Sequence, residues 1–274
     1  GAGIAGLTSA AILSKLGFSV TLIESHKQSG GCAGTFKRKK YIFDVGATQV
    51  AGLEEGGIHS KIFNFLDIPL PEASILNPAC IVDLNDGSKP IPIWYDKDEW
   101  IKERESQFPG SSKFWQLCNL IHQSNWTFAN NNPVLPIKNL WDFTQLFKAL
   151  VPTNFATGIL LKATIFDLLR LCGLSKDERL IKFLNLQLKL YSQEDVYKTA
   201  ALYGSTVLQM CQKPHGLWHL KKSMQVLSEA LEDSLNKTGA NIVFGQKVNS
   251  LNFDNEKNFW KVSTTYKEKT LNYY

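Results

Sequence analysis

Gly1, Gly3 and Gly6 open the chain in the spacing G-x-G-x-x-G. Glycines so placed can hold a pyrophosphate: the first makes a tight turn, the second lets the backbone approach the phosphates, and the third lets a helix pack closely on a strand. Glu24 follows roughly 20 residues later, where a dinucleotide fold places the acid that hydrogen-bonds an adenosine ribose. A carboxylate there disfavours an extra ribose phosphate, so FAD or NAD is expected rather than NADP. A second glycine-rich group, Gly30, Gly31, Gly34 and Thr35, is followed by Gly46, Ala47 and Thr48. Backbone amides freed of side chains suit a large flat cofactor and its phosphates, and after a dinucleotide loop they favour FAD over NAD. Read alone, the same stretches are simply tight turns.

The elements that would position these residues are legible in the pattern. Ile4 to Leu16 reads as a helix of small and apolar residues with Gly17 as its C-terminal cap, and Ser19 to Glu24 as a short buried parallel strand. A buried strand should also lead into Gly1 and none precedes it, so the chain reads as a fragment. A hairpin is expected around Phe36 and Tyr41 to Asp44, and a short helix over His59 to Leu66. Cys80 to Leu84 and Pro90 to Trp94 flank Asn85-Asp86-Gly87-Ser88, a hairpin signal. From Lys97 to about Met210 the period is helical, with interruptions at Pro133, Pro136 and Pro152. Lys222 to Leu235 is amphipathic, carrying Met224, Leu227, Leu231 and Leu235 on one side. Strands are expected at Asn241 to Phe244, Lys247 to Phe253 and Phe259 to Thr264. The expected fold is α/β: a Rossmann-like domain over 1–96, a mainly helical insertion over 97–212, and a return to the first domain over 213–274.

Composition narrows the class. The chain has 274 residues, 44% of them hydrophobic, enough for a sizeable core. The net charge of +5 is moderate, and its most visible source is the run Lys37-Arg38-Lys39-Lys40. That run reads as a solvated hairpin flank or a contact with anionic lipid; no aromatic-studded basic surface accompanies it, so no nucleic-acid partner is expected. Cys32, Cys80, Cys118, Cys172 and Cys211 are scattered without C-x-x-C spacing, which fits a reducing compartment and no metal cluster. Phe114 to Ile137 lacks Asp, Glu, Lys and Arg but is broken by polar residues and two prolines, and the apolar run Ala149 to Leu161 is short of the ~20 residues a span requires.

The order GxGxxG, ribose Glu, GG-x-AGTF and FDVGAT resembles the flavin amine oxidase and phytoene desaturase superfamily. The later stretch PHGLWHLKKSMQVLSEALEDSLNKTGANIVFGQKVNSL is similar to that superfamily's second signature. Within it, the segments Gly30 to Phe63, QFPGSSKFWQL and FLNLQLKLYSQ resemble cyanobacterial-type carotenoid desaturases that act at the 3',4' position. The resemblance covers nearly the whole chain. It implies FAD, with Gly1, Gly3 and Gly6 at the pyrophosphate, Glu24 at the ribose, and Gly30, Gly31, Gly34 and Thr35 on the phosphate and flavin side. It further implies Gly46, Ala47 and Thr48 near the isoalloxazine, and Lys247 and Val248 near the adenine. Cys32 stands where many phytoene desaturases carry Arg; taken by itself it is an inert cysteine in a packed loop. Family members run to about twice this length, and their C-terminal part returns to the flavin.

The resemblance therefore implies an FAD-dependent desaturase of carotenoid biosynthesis, cytoplasmic and peripherally membrane-associated, with quinone or oxygen as electron acceptor. Hydride passes to flavin N5 and a proton leaves the neighbouring carbon. Residues Phe143 to Met210, including LLKATIFDLLRLCGL and FLNLQLKLYSQ, are the expected substrate tunnel and membrane-facing surface, or else ordinary helical core. His59, His122, His215 and His219 are each possible bases, although an isolated histidine is more often structural. A carotenoid cis/trans isomerase using reduced FAD shares these features. An amine oxidase fits the apolar middle less well, and a prenyl-binding chaperone fits the intact flavin loop less well.

Overall fold

The computed structural model describes residues 1–266 and 269–273. The first elements are α1 (Ile4–Lys15), β1 (Thr21–Ile23), β2 (Thr35–Arg38), β3 (Tyr41–Asp44), α2 (Ile58–Leu66) and β4 (Ala73–Ile75). Then come β5 (Cys80–Val82), β6 (Ile91–Ile93), α3 (Lys97–Gln107), α4 (Ser112–Asn130), α5 (Leu140–Ala149), α6 (Pro152–Gly158), α7 (Ile165–Leu171), α8 (Glu178–Ser192) and α9 (Ala201–Val207). The chain closes on β7 (Trp218–Leu220), α10 (Gln225–Lys237), β8 (Asn241–Val243), β9 (Lys247–Asp254), β10 (Phe259–Tyr266) and β11 (Lys269–Tyr273). Two compact units result: Gly1–Ile75 with the residues from Leu217 onward, and Leu76–Gly216. The turn pattern suggested boundaries near 96 and 212; the β5–β6 hairpin belongs to the second unit.

The first unit is α/β. Thr21, Leu22 and Ile23 of β1 pair in parallel with β8, Leu22 opposite Ile242, and the ladder continues as the Glu24 N–H donates to the Val243 carbonyl at 2.8 Å. Helix α1 ends where Gly17 adopts φ +90°, a conformation open to glycine at little cost. The amphipathic face of α10 turns Leu227, Leu231 and Leu235 into a core with Leu7, Ala10, Ala11, Leu22 and Phe63. Strands β2 and β3 form the expected hairpin. β9, β10 and β11 form an antiparallel sheet with a bulge at Ser263/Thr264. Strands β4 and β7 also pair, Ile75 opposite Trp218; neither was expected, because three-residue strands joined across so long a separation leave no local periodicity.

The second unit is mainly helical, with the expected β5–β6 hairpin turning through Asn85 and Gly87, both at positive φ. Asp96 caps α3 by accepting from the Asp98 and Glu99 N–H groups, and Thr164 with Asp167 forms a capping box on α7. Trp100, Phe108, Trp115 and Phe183 pack ring on ring, with centroids 5.0–6.2 Å apart along the cluster. Ile165, Leu168, Leu180, Leu184 and Leu188 are fully buried, so the apolar faces of α7 and α8 are core. Exposed apolar side chains include Leu171 and Leu190 at the ends of α7 and α8, and Leu140, Trp141, Phe143, Phe147 and Phe155 on α5 and α6.

His122 is buried on α4, 5.2 Å from the His215 ring and stacked near Trp126. Burial first, then the His215 and Lys97 charges, push its pKa down to about 4. The unfolded chain takes up this proton near pH 6.5, so between these values the unfolded state binds more protons and stability is lost as the pH falls. Denaturant titrations between pH 7 and 4 should show this loss at no more than about 1.4 kcal/mol per pH unit, and His122→Gln should flatten the slope.

Candidate functional site

The first glycine group forms a backbone cradle. Gly3 is the extended N-cap of α1, no side chain caps the helix, and its first turn holds no acid. The N–H groups of Ile4, Ala5 and Gly6 therefore have no acceptor within the helix, and the positive end of the helix dipole faces outward. A Cβ on Gly6 would collide with the Gly1 carbonyl oxygen, whereas nothing lies within 4 Å of the place a Cβ on Gly3 would occupy. Gly6 is thus required by packing inside the protein, while Gly3 leaves room for a group from outside. Gly31, at φ +56°, comes over this loop, its Cβ position 3.3 Å from Gly3 Cα. The Gly30 N–H donates to the Ala2 carbonyl at 2.8 Å.

Glu24 stands at the end of β1, buried, and ties the loop to the sheet. Its Oε2 accepts the Ala2 N–H at 2.5 Å, and its Oε1 accepts the His26 N–H at 2.8 Å and the Ser25 hydroxyl at 3.0 Å. Burial acts to raise its pKa, but these hydrogen bonds outweigh it and hold the carboxyl below its ordinary value. The carboxylate is ionised at neutral pH, and Oε2, with one donor, keeps a lone pair for a hydroxyl. The Gln246 N–H donates to the Glu24 carbonyl at 2.9 Å, which brings the exposed start of β9, Lys247 and Val248, beside this acid.

Gln225, at the start of α10, assembles the second glycine group, a role no sequence motif marked. Its Oε1 accepts the Thr35 N–H at 3.1 Å and its Nε2 donates to the Ser29 carbonyl at 3.2 Å. The Asp44 carboxylate accepts the Met224 N–H at 3.0 Å, anchoring the same helix end to β3. The Val45 N–H donates to the Gly34 carbonyl and the Ala47 N–H to the Cys32 carbonyl, at 2.9 and 3.0 Å. Gly34 and Gly46 are thereby joined, and Gly46, Ala47 and Thr48 are exposed. Cys32 is exposed as well; its turn is close-packed through backbone, not around the thiol, which corrects the packed-cysteine reading. Beyond Thr48, Val50 exchanges two backbone hydrogen bonds with Trp218, whose indole N–H is sealed from solvent and has no protein acceptor.

The four histidines are not gathered. His59 is half-buried behind Gly52 with its pKa lowered by burial against the opposing pull of Glu54, His219 is exposed on β7, and His122 and His215 lie in the second unit. Among the described residues no cluster of His, Cys, Asp and Glu could hold a metal ion.

The open face at Gly3, the free first-turn amides, the ionised Glu24 and the orphan Trp218 donor fit a dinucleotide carrying a further hydrogen-bonding ring system. Comparison with known proteins agrees. Residues 1–67 match the NAD(P)-binding Rossmann-like domain family. The chain is 30% identical over 128 residues to the all-trans-retinol 13,14-reductase of Rattus norvegicus, covering 44% of this chain and 21% of that protein. It is 24% identical over 268 residues to the chloroplastic prolycopene isomerase of Daucus carota, covering 94% of this chain and 42% of that one. The fold is shared with the PF1083 protein of Pyrococcus furiosus, at TM-score 0.64 and 16% identity over 100% of this chain and 55% of that one. A putrescine oxidase redesigned in its cofactor binding has TM-score 0.57 and 14% identity, over 99% of this chain and 55% of that one. The chain thus spans about two fifths of the prolycopene isomerase and about half of the solved chains. The chain opens on a Rossmann-like domain and is similar to prolycopene isomerases along nearly its whole length.

Proposed function

We propose that this chain holds the adenosine diphosphate part and one side of the flavin of FAD in an enzyme that desaturates a carotenoid. The observation that supports this reading is the open space at Gly3 beside a helix N-terminus, in a loop whose Ala2 N–H is held by an ionised Glu24. FAD supplies the hydride acceptor, its N5, with quinone or oxygen as final electron acceptor. The chain's own residues bind and orient. Gly1, Gly3, Gly6 and the first-turn amides of α1 take the pyrophosphate, and Glu24 Oε2 accepts a ribose hydroxyl. Gly30, Gly31, Gly34 and Thr35 keep side chains away from the phosphates, Gly46, Ala47 and Thr48 present backbone to the flat ring, and Lys247 and Val248 flank the adenine.

A second reading, a cis/trans isomerase working with reduced FAD, is favoured by the length of the likeness: 268 residues to the prolycopene isomerase against 128 to the retinol reductase. Desaturation at the 3',4' position is the finer form of the first reading. Both act on apolar polyenes, which supports a cytoplasmic protein bound peripherally to a membrane. The second unit offers a surface for that contact: Leu140 and Ile159 are 79% and 85% exposed, with Trp141, Phe147, Phe155 and Leu161 also exposed. Lys138, Lys148 and Lys162 accompany them, and Asp142, the only carboxylate between Leu135 and Ala163, is buried and accepts the Lys138 N–H. Apolar side chains with a cationic fringe suit an anionic bilayer interface. No helix among the described residues is long and apolar enough to cross a membrane.

Three outcomes follow for the full-length protein. Gly3→Ala should fold and lose bound flavin absorbance by tenfold or more, because a methyl fits the protein but not the ligand, whereas Gly6→Ala should lose fold and flavin together. In cells accumulating carotenes, chromatography should reveal a red-shifted product with more conjugated double bonds; unchanged chromophore length with altered geometry establishes the isomerase, and no pigment change with bound FAD points to an amine oxidase. Trp141→Ser with Phe147→Ser should reduce flotation with vesicles containing anionic phospholipid by about tenfold without reducing flavin content.

A further inference from the structure

Strands β2 and β3 form a two-stranded ribbon with neither face buried. Every residue from Phe36 to Phe43 is exposed, and only the root is held: Thr35 is buried, and the Asp44 carboxylate accepts the Met224 N–H at 3.0 Å. Such a ribbon is marginally stable by itself in water, and this one displays its apolar side chains instead of burying them. Its surface calls for a partner.

The register sorts the side chains. Phe36 stands opposite Phe43 and Arg38 opposite Tyr41, so these four share one face, while Lys37 and Ile42 share the other. The Phe36 and Phe43 rings stack with centroids 5.3 Å apart, and the Tyr41 ring lies 6.4 Å from that of Phe43. Aromatic rings thus surround the basic run, an arrangement the run alone did not announce. The turn is Lys39-Lys40, with Lys39 at φ +56° and the Lys40 ammonium 5.4 Å from the Tyr41 ring centre.

Charge decides what the partner is. Lys37, Arg38, Lys39 and Lys40 are all exposed, and none has an ion-pair partner among the described residues. Asp44 is the only carboxylate between Ser25 and Leu53, and a backbone amide engages it. Four cations at one tip match an anionic surface, and the rings beside them match one that is half apolar, as at the headgroup level of a bilayer. A protein partner would cover one face of the ribbon and leave the other wet, whereas a lipid interface surrounds a projecting tip on both. The outer strand edges carry N–H and C=O groups without ladder partners, so the tip stays in the hydrated headgroup layer and out of hydrocarbon.

We propose that the β2–β3 ribbon docks on anionic phospholipid, with Phe36, Tyr41, Ile42 and Phe43 at headgroup level and the four cations on lipid phosphates. This surface is distinct from the apolar side chains of α5 and α6, and it does not rest on the carotenoid reading.

Flotation of the full-length protein, loaded with FAD, with phosphatidylcholine vesicles containing about a third phosphatidylserine tests this. Lys39→Gln with Lys40→Gln should weaken binding about tenfold, and Tyr41→Ser with Phe43→Ser by a similar factor, at unchanged flavin content and melting temperature. The lysine pair, wholly exposed, decides the matter if the aromatic pair perturbs folding. Omitting phosphatidylserine should weaken wild-type binding at least tenfold. Trp141→Ser with Phe147→Ser is the comparison: loss there, with undiminished binding by the folded ribbon variants, overturns the ribbon and leaves the other surface standing. No vesicle binding, or equal binding to phosphatidylcholine alone, also overturns the proposal. So does sedimentation showing that the ribbon captures single-stranded DNA, or a second copy of the chain, in place of vesicles.

Discussion

The first unit depends on one close approach of backbone to backbone: the Gly1 carbonyl oxygen against α1 at Gly6, where no Cβ can enter. That approach sets the height of α1 over the sheet. The Glu24 carboxylate then fixes its direction, because one side chain at the end of β1 accepts the N–H of Ala2 while its own backbone continues the ladder to β8. Leu7, Ala10 and Ala11 are small or slender enough for α1 to settle onto Leu22 and the apolar side of α10. A larger residue at Gly6 would displace all of these together, so helix packing and the shape of the loop are one constraint and not two.

A second fixed point lies far along the chain. Gln225 and Met224 open α10, and through them a residue distant in sequence sets the conformation of the Ser29–Thr35 turn and the end of β3. The amide of Gln225 matches one donor and one acceptor of the turn, which aspartate or glutamate could not do. The glycine-rich backbone is flexible by composition and is held in one shape by this helix end.

Much of this was legible before any coordinates. Gly17 and Gly87 adopt positive φ where the pattern marks a helix end and a turn, and the period of α10 and the β-branched runs of β1 and β8 carry their own local signal. Strands β4 and β7 were not legible, because Ala73–Ile75 and Trp218–Leu220 acquire their identity only from each other. Hydropathy also failed to distinguish α7 and α8 from α5 and α6: Leu168 and Leu184 are as apolar as Leu140, and only tertiary packing decides which is buried.

The β4–β7 pair has an evolutionary consequence. The chain leaves the first unit at Ile75 and re-enters it at Leu217, and Ile75 is the cross-strand partner of Trp218. The helical unit therefore hangs from two neighbouring positions on a single antiparallel ladder, so its departure and return already lie side by side before any of it folds. Helices there can lengthen, be replaced or change polarity with little disturbance to the register of the sheet beneath. Such an attachment separates what the inserted helices contain from the strand pairing of the Rossmann-like unit.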